Sequence, residues 1–297
     1  SNNPWEASMA ETPTLAKNST DLLTIIRWIR QMKLPWIPIV IMVVLVICAV
    51  FAPLLAPHDP LEIDLLNSRM APGEDWSYPL GTDIMGRDML SRMIYGAQTA
   101  AKISMLALVV RMVVGTFLGL WAGYKGGWLD TIIMRFADAA LGFPTILAAL
   151  IVVVILGSGI EAIVLAMFIT VWARFARMIR GDVLAVKDQD FVTLARITGV
   201  STPVIIWRHI FPNTVNTLMV VTSILVGQVI LLEAALSFLG LGLEPGAAAW
   251  GIMVAEGRTV ILQMWWLALF PGVAITILVL ALNFFGDWLR DSLDPKL

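Results

Sequence analysis

Four stretches of this 297-residue chain each run for about twenty residues or more without a single Asp, Glu, Lys or Arg. They are Leu34–Pro57, Ala139–Ile160, Ile210–Leu232 and Thr259–Gly286. A helix needs about 20 mainly apolar residues to cross the hydrocarbon core of a bilayer, because each residue advances it by about 1.5 Å. The chain is 59% hydrophobic and only 14% charged, whereas soluble domains are about a quarter charged. The pattern predicts an all-α, polytopic membrane protein.

Two further apolar runs are interrupted only by arginine. Ile103–Tyr124 contains Arg111, and Ala162–Ile179 carries Arg174 and Arg177 in its second half. Counting both runs, we predict six transmembrane helices. The predicted division is an N-terminal segment at 1–33, the first transmembrane helix at 34–57, an external segment with a surface helix at 58–97, a core of five transmembrane helices at 98–288 that includes a helical loop at 181–212, and a C-terminal tail at 289–297.

The basic residues predict the orientation of these spans. Six spans place both termini on one side, and that side also receives the most basic connection of the chain. Lysine and arginine accumulate on the cytoplasmic side of membrane proteins, so both termini and this connection are predicted to be cytoplasmic. The net charge of −2 gives no reason to expect nucleic-acid binding. The basic residues of the connection are Arg174, Arg177, Arg180, Lys187, Arg196 and Arg208.

The end of the external segment has the features of an interfacial helix. Thr82 is a suitable N-cap, three methionines fall on one helical face, and two acid-to-base pairs are spaced by four residues. A helix packed on the surface of the bundle is therefore expected from Thr82 onward. The residues concerned are Met85, Met89 and Met93, Asp83 with Arg87, and Asp88 with Arg92.

Small residues recur at a spacing of four in the second predicted span, at Gly115, Gly119 and Gly123. Glycines at this spacing lie on one helical face and let two helix backbones approach closely. The motif predicts a close helix–helix contact rather than a ligand site.

The cytoplasmic connection contains signals for two short helices. Asp188 or Asp190 can cap a helix that ends at Gly199 in the left-handed conformation. Ser201 and Pro203 then favour the start of a second helix, which is expected to end near Pro212. A compact helix–turn–helix between two spans is either a rigid connector or a docking element for a cytoplasmic partner, and the residues alone leave both readings open.

At this loop the sequence resembles the EAA loop of ABC importer permeases, and more narrowly the C-type permease subunit of the dipeptide, oligopeptide and nickel group. The chain has Thr193-Leu194-Ala195 where the group usually has Glu-Ala-Ala, and Arg111 where it usually has an apolar residue. The matching segments are 189–199, 208–213, 79–83, 86–88, 122–128, 236–242, 286–287, 289–291 and 293–295.

The resemblance implies an ABC importer permease fold with six spans, and a subunit that is not itself an enzyme. It implies four kinds of partner: a second homologous permease, two cytoplasmic ATPase subunits, an extracytoplasmic solute-binding protein and membrane lipid. ATP and magnesium would be bound by the ATPase subunits, and no G-x-x-x-x-G-K-[ST] nucleotide loop occurs in this chain. The residues that the resemblance assigns to ATPase coupling are Asp190, Phe191, Thr193, Ala195, Arg196 and Gly199.

Charges inside predicted spans are expensive and usually face a partner, a cavity or water. Arg111 either holds a solute carboxylate in the translocation pathway or pairs with an acid of the partner permease. Glu233 either lines the pathway or is paired near a helix end. The expected solute is a peptide, with a nickel chelate, an opine or a glutathione-like molecule as alternatives. An ion-coupled secondary transporter is disfavoured because no internal repeat or acid-bearing broken helix is visible.

Overall fold

The computed structural model describes residues 34–157 and 159–293, and these residues fold into helices. The predicted N-terminal segment 1–33 and the last residues of the predicted tail, 294–297, lie outside the described residues. Within the described ranges the only β-type pairing is one isolated bridge between Thr82 and Asp88. The helices are α1 Trp36–Val50, α2 Ala52–Leu55, α3 Met89–Lys125, α4 Gly127–Gly142, α5 Thr145–Leu156, α6 Ile160–Val186, α7 Asp190–Ile197, α8 Thr202–Val204, α9 Phe211–Phe238, α10 Trp250–Arg258 and α11 Trp266–Leu293, with a 3₁₀ turn at Leu65–Asn67 and a π-helical turn at Ile205–Ile210.

Within residues 34–157 and 159–293, three stretches are single helices long and apolar enough to cross a membrane: Met89–Lys125, Thr202–Phe238 and Trp266–Ser292. Two bent pairs raise the total to five if each pair is one span. One pair is α4 with α5, bent by 95°, and the other is the two halves of α6, bent by 41°. The remaining apolar helix, α1, has 15 residues and is about 22 Å long at a rise of about 1.5 Å per residue. The count of six spans stays a prediction.

The first predicted span, 34–57, is not one continuous helix. α1 ends at Val50, and the short α2 begins after Phe51 with Pro53 in its first turn. Proline has no amide hydrogen to donate to the carbonyl four residues earlier, and its ring crowds that carbonyl. The carbonyl of Ala49 instead accepts a hydrogen bond of 2.8 Å from the side-chain amide of Gln98 on α3. The proline interrupts the run, and α3 supplies the missing donor.

The expected surface helix beginning at Thr82 is wrong. The segment 81–88 is a loop, and α3 begins at Met89 with Asp88 as its N-cap, whose carboxylate accepts from two backbone amides of the first turn. Thr82 caps no helix: its hydroxyl donates to the carbonyl of Asn67 at 2.6 Å and accepts from the amide of Met70 at 2.9 Å. Gly86 has a φ of +78°, and a Cβ there would lie 1.7 Å from the carbonyl oxygen of Asp64. Contacts with the preceding loop therefore replace the helical conformation.

The glycine motif of α3 packs against α6, as the sequence predicts. A Cβ at Gly115 would lie 2.6 Å from the carbonyl oxygen of Trp172, and one at Gly119 would lie 2.6 Å from that of Ala176. At Gly123 a Cβ would meet the side chain of Val183 at 2.7 Å. Two helix backbones approach this closely only where side chains are missing. The motif sets the distance between two of the longest helices.

Candidate functional site

α7 lies in the predicted cytoplasmic connection and begins without a side-chain cap. Its N-cap residue is Gln189, which makes no capping hydrogen bond, so the expected capping by Asp188 or Asp190 is wrong. Asp190 is the first residue of the helix, where a carboxylate interacts favourably with the positive end of the helix dipole. The acid therefore supports the start of α7 through charge rather than through a capping hydrogen bond.

The end of α7 at Gly199 has the geometry that the sequence predicts. Gly199 has a φ of +79°, its amide donates to the carbonyl of Arg196 at 3.1 Å, and the amide of Val200 donates to the carbonyl of Ala195 at 3.1 Å. These two bonds are the Schellman arrangement that closes a helix with a left-handed residue. No heavy atom lies within 4 Å of a Cβ placed on Gly199, so the glycine is needed for its conformation and not for space.

One face of α7 is fixed to the rest of the molecule. Val192 and Ala195 are buried three residues apart, which places them on the same side of the helix. They pack in a cluster with residues of α3, α6 and the π-helical turn. This cluster ties α7 to the membrane helices without any charged contact. Its other buried members are Leu120, Ile179, Val183, Ile205, Ile206 and Ile210.

The outer, exposed face of α7 carries three large apolar side chains. Phe191, Leu194 and Ile197 follow one another at intervals of three and are 39%, 61% and 76% exposed. Asp190, Thr193 and Arg196 are also exposed, and the Arg196 guanidinium lies 5.8 Å from the centre of the Tyr124 ring, within cation–π range. Ala195 is the one predicted coupling residue that faces inward.

The second predicted helix of the connection does not end at Pro212. Residues 202–238 form one continuous helix, with a π-helical turn at Ile205–Ile210 immediately before Pro212. The amide of Phe211 donates to the carbonyl of Ile206, five residues back. Pro212 has no amide hydrogen to donate, and π-helical hydrogen bonds occur mostly as single turns of this kind inside α-helices. The element that packs against α7 is therefore the beginning of a membrane helix.

Arg111 lies on α3, a helix long and apolar enough to cross a membrane, and is 1% exposed. Its Nε donates to the carbonyl of Ala107 in the same helix at 2.9 Å, and its Nη2 has no hydrogen-bond partner among the described residues. The side chain lines a cavity of about 240 Å³ that Arg174 and Gln228 also line. Arg174 donates to the side-chain oxygen of Gln228. Sequence reasoning named Arg174 only as a source of positive charge and missed Gln228, because neutral polar residues on a span carry no distinctive signal.

Glu233 lies in α9 but does not join Arg111. Its side chain is buried, and its carboxylate accepts a hydrogen bond of 2.8 Å from the hydroxyl of Ser237, one turn further along the same helix. It is not among the residues that line the cavity of Arg111. The structure therefore supports pairing within the helix for Glu233, and leaves Arg111 as the predicted pathway residue that faces a cavity.

Three buried charged residues of the predicted external segment meet a half-buried glutamate of α10, and of their contacts the sequence predicted only the pair of Asp83 with Arg87. Asp83 accepts from Arg87 at 2.5 Å and from Arg92 at 2.6 Å, and both arginines also contact Glu256 of α10, at 3.2 Å and 2.8 Å. Arg92 thus pairs with Asp83 and Glu256 and not with Asp88, because Asp88 is occupied in capping α3. We call these four residues the external charge network. It joins the external loop to a helix more than 150 residues away in sequence.

The fold has counterparts among solved structures. One chain in inward-facing conformations of the MetNI methionine ABC transporter superposes with a TM-score of 0.54 at 16% identity, over 69% of this chain and 98% of that one. A chain in a crystal structure of an amino acid ABC transporter with histidines gives a TM-score of 0.52 at 16% identity, over 68% and 94%. At this identity the likeness concerns the fold alone.

Several permeases are similar over most of their length. The dipeptide transport system permease protein of Bacillus subtilis is 35% identical over 91% of this chain and 84% of its own. The oligopeptide transport system permease protein of the same organism is 34% identical over 99% and 96%. The glutathione transport system permease protein of Pectobacterium atrosepticum is 41% identical over 85% and 84%.

Two protein families match successive parts of the chain. Residues 24–72 match the N-terminal TM domain of oligopeptide transport permease C. Residues 115–297, which are more than half of the chain, match the binding-protein-dependent transport system inner membrane component. The helical fold, the apolar spans and these matches agree with one another. The chain therefore belongs to the family of binding-protein-dependent transport system inner membrane components.

Proposed function

We propose that this chain is a permease subunit of an ABC importer that moves peptides or similar small solutes across the cytoplasmic membrane. Relatives named for dipeptide, oligopeptide and glutathione transport support this solute class. A glutathione-like solute is the second candidate, because the glutathione permease of Pectobacterium atrosepticum is 41% identical to this chain. Glutathione is itself a small peptide derivative, so the two candidates differ in the detail of the solute and not in the mode of transport.

The observation that carries the proposal is the two-sided construction of α7. Its outer face presents Phe191, Leu194 and Ile197, while Val192 and Ala195 hold its inner face against the membrane helices. Burying a large apolar side chain is worth about 1.5–3 kcal/mol, so three exposed ones give a partner groove substantial binding energy. A helix laid into a groove by anchors at intervals of three or four is a recurrent mode of protein recognition.

A partner that moves α7 also moves the membrane helices. The cluster around Val192 and Ala195 is closely packed, and packed interiors transmit displacement instead of absorbing it. Its members come from α3, α6 and the turn that leads directly into α9. Closure of an ATPase groove around the outer face of α7 would therefore shift three membrane helices together. ATP binding on one subunit is in this way coupled to opening and closing of the pathway in another.

The remaining partners complete the transporter. A second homologous permease supplies the other half of the pathway, two cytoplasmic ATPase subunits bind ATP and magnesium, and an extracytoplasmic binding protein delivers the solute. This chain binds no cofactor of its own and hydrolyses nothing. In this arrangement both termini and α7 are cytoplasmic. Lysine and arginine accumulate on the cytoplasmic side of a membrane protein, and the connection that contains Arg196 and Arg208 is rich in them.

The test is purification and reconstitution of the complex with an outer-face variant. Ile197→Asp places a charge on the most exposed apolar residue of α7, so we expect the ATPase subunits to be lost from the purified complex. Leu262→Asp is the matched control, since Leu262 is also an exposed branched aliphatic residue but lies beyond α10. Retention of both ATPases and normal ATP-driven peptide uptake by Ile197→Asp would show that α7 is only a connector.

A further inference from the structure

The cavity beside Arg111 collects hydrogen-bond donors from three helices. Arg111 comes from α3, Arg174 from α6 and Gln228 from α9, and the remaining lining residues are Thr145 and apolar side chains. None of the described residues that line the cavity is acidic. Two guanidinium groups therefore share about 240 Å³, and no carboxylate from residues 34–157 or 159–293 lines the cavity with them.

The hydrogen bonding of Arg111 is incomplete. A guanidinium has five N–H donors in a planar fork, and here Nε is used by a carbonyl of its own helix while Nη2 has no partner among the described residues. A buried charge at membrane depth is costly unless a partner or water compensates it. The Gln228 oxygen is taken by Arg174, so the group that Gln228 can offer to a ligand is its NH2 donor.

We propose that this cavity is a binding site for a carboxylate of the solute during transport. Arg111 is its buried cation, and Arg174 and Gln228 are hydrogen-bond donors nearer its opening. The proposal rests on the proposed function and names the solute class more narrowly: a small molecule with a free carboxylate, such as a peptide with an unblocked C-terminus. Arginine binds a carboxylate through two parallel N–H···O bonds, which orients it as well as attracting it.

A carboxylate could reach this cavity from two sources, a solute or an Asp or Glu of the second permease. The solute is favoured because Arg174, at the edge of the cavity, is exposed. Arg174 is exposed and already held by Gln228, as expected for a group that meets a ligand arriving from an open side. The experiments separate the two sources.

The first experiment measures charge in the cavity without any solute. Cys48 is the single cysteine of the chain, so Cys48→Ser with Thr145→Cys gives the permease one thiol in the cavity lining. In the assembled complex, we compare its labelling by a sulfonatoethyl and by a trimethylammonioethyl methanethiosulfonate. We expect Arg111→Leu to lower the anion-over-cation rate ratio about tenfold and Arg111→Lys to preserve it, because removing one nearby charge in a partly dehydrated cavity has an effect of this size.

Arg135→Leu is the matched control, since Arg135 is exposed on α4 and does not line the cavity. It should leave the ratio unchanged. In the protein that retains Arg111, trialanine should slow labelling of the cavity thiol, whereas trialanine with an amidated C-terminus should not. An unchanged ratio in Arg111→Leu, or equal protection by the acid and the amide, overturns the proposal.

The second experiment measures ATP-driven uptake of the same two tripeptides in vesicles. One binding protein serves every variant, so a change in the acid-to-amide uptake ratio must arise in the permease. We expect Arg111→Leu to reduce this ratio about tenfold, because the variant loses one charge-assisted hydrogen-bonded pair with the carboxylate. The second permease should stay bound. Loss of the second permease from Arg111→Leu would assign the carboxylate to that subunit and overturn the solute site. Failure of the wild-type complex to import either tripeptide would count against the proposed function, while the labelling experiment still decides the cavity.

Discussion

Arg92 at the start of α3 and Glu256 of α10 form an ion pair in which Nη1 and Oε2 are 2.8 Å apart, although 164 residues separate them in sequence. Arg92 also contacts Asp83 at 2.6 Å, and both of those side chains are almost completely buried. The external charge network thus joins the external loop, the first turn of a membrane helix and α10 in one place. Its members would be expensive to leave unpaired.

Replacing Arg92 by methionine should destabilise the end of the protein that contains this network. Breaking a buried pair by removing one partner costs about 3–5 kcal/mol, and we expect about 3 kcal/mol here because Arg87 still compensates Asp83. The measurement is the thermal midpoint of the detergent-solubilised complex. The control is Asp138→Asn, which breaks the exposed pair of Asp138 with Arg177 and should cost at most about 1 kcal/mol. Equal effects of the two variants would contradict a structural role for the network.

Gly199→Val should uncouple ATP hydrolysis from transport without unfolding the permease. Nothing crowds the new side chain, but a β-branched residue is disfavoured at a φ of +79°, and the strain is of order 1–3 kcal/mol. The turn after α7 reorients, so its outer face no longer fits the ATPase groove. Phe191→Ala should act in the same direction by removing one exposed apolar side chain. The measurement is solute-stimulated ATPase activity and uptake, with subunit stoichiometry checked on the same vesicles.

Gly181→Val is the control for Gly199→Val. Gly181 is exposed on α6 near the same end of the molecule, it has helical backbone geometry, and a Cβ there meets nothing within 4 Å. The substitution adds the same atoms without conformational strain, so coupling should persist. Normal coupling in Gly199→Val and Phe191→Ala together would remove α7 from the transmission of ATPase motion.

Gly119→Ala should loosen the contact between α3 and α6. Its Cβ would lie 2.6 Å from the backbone oxygen of Ala176, so the helices must separate, and overpacking of this kind costs about 1–3 kcal/mol. The expected result is a lower yield of monodisperse complex and a lower thermal midpoint. Gly142→Ala on α4 is the control, because nothing lies within 4 Å of a Cβ at that position. A midpoint for Gly119→Ala as high as that of the control would show that this contact is not tight.

Labelling from outside sealed cells should reach a cysteine at position 74 and fail to reach one at position 188. Glu74 and Asp188 are both exposed in the structure, so in a permease expressed without its partner subunits the side of the membrane decides which position the reagent reaches. The background carries Cys48→Ser to remove the native thiol. Permeabilised cells provide the control, since both positions should then react. Labelling of position 188 in sealed cells would reverse the predicted orientation.

Local signals in the sequence determined the helical class and much of α7. Apolar runs of membrane-spanning length require internally hydrogen-bonded helices. A glycine at a helix end adopts the left-handed conformation because no side chain opposes it, and Gly199 does so here. The spacing of Gly115, Gly119 and Gly123 on α3 predicted a close helix contact, which was confirmed, while the structure identified α6 as the partner. Each of these features depends on residues close together in the chain.

Tertiary contacts decided where α3 begins, how Arg92 is paired and which groups surround Arg111. The loop before α3 is held open by the approach of Gly86 to Asp64, and this contact overrides a helical pattern of methionines and charges. Arg92 finds Glu256 through the fold and not through its neighbour Asp88. The cavity of Arg111 is completed by Gln228, 117 positions further along the chain. Hydrogen bonds and ion pairs are satisfied by whichever group the packing brings within about 3 Å, and sequence spacing does not encode that distance.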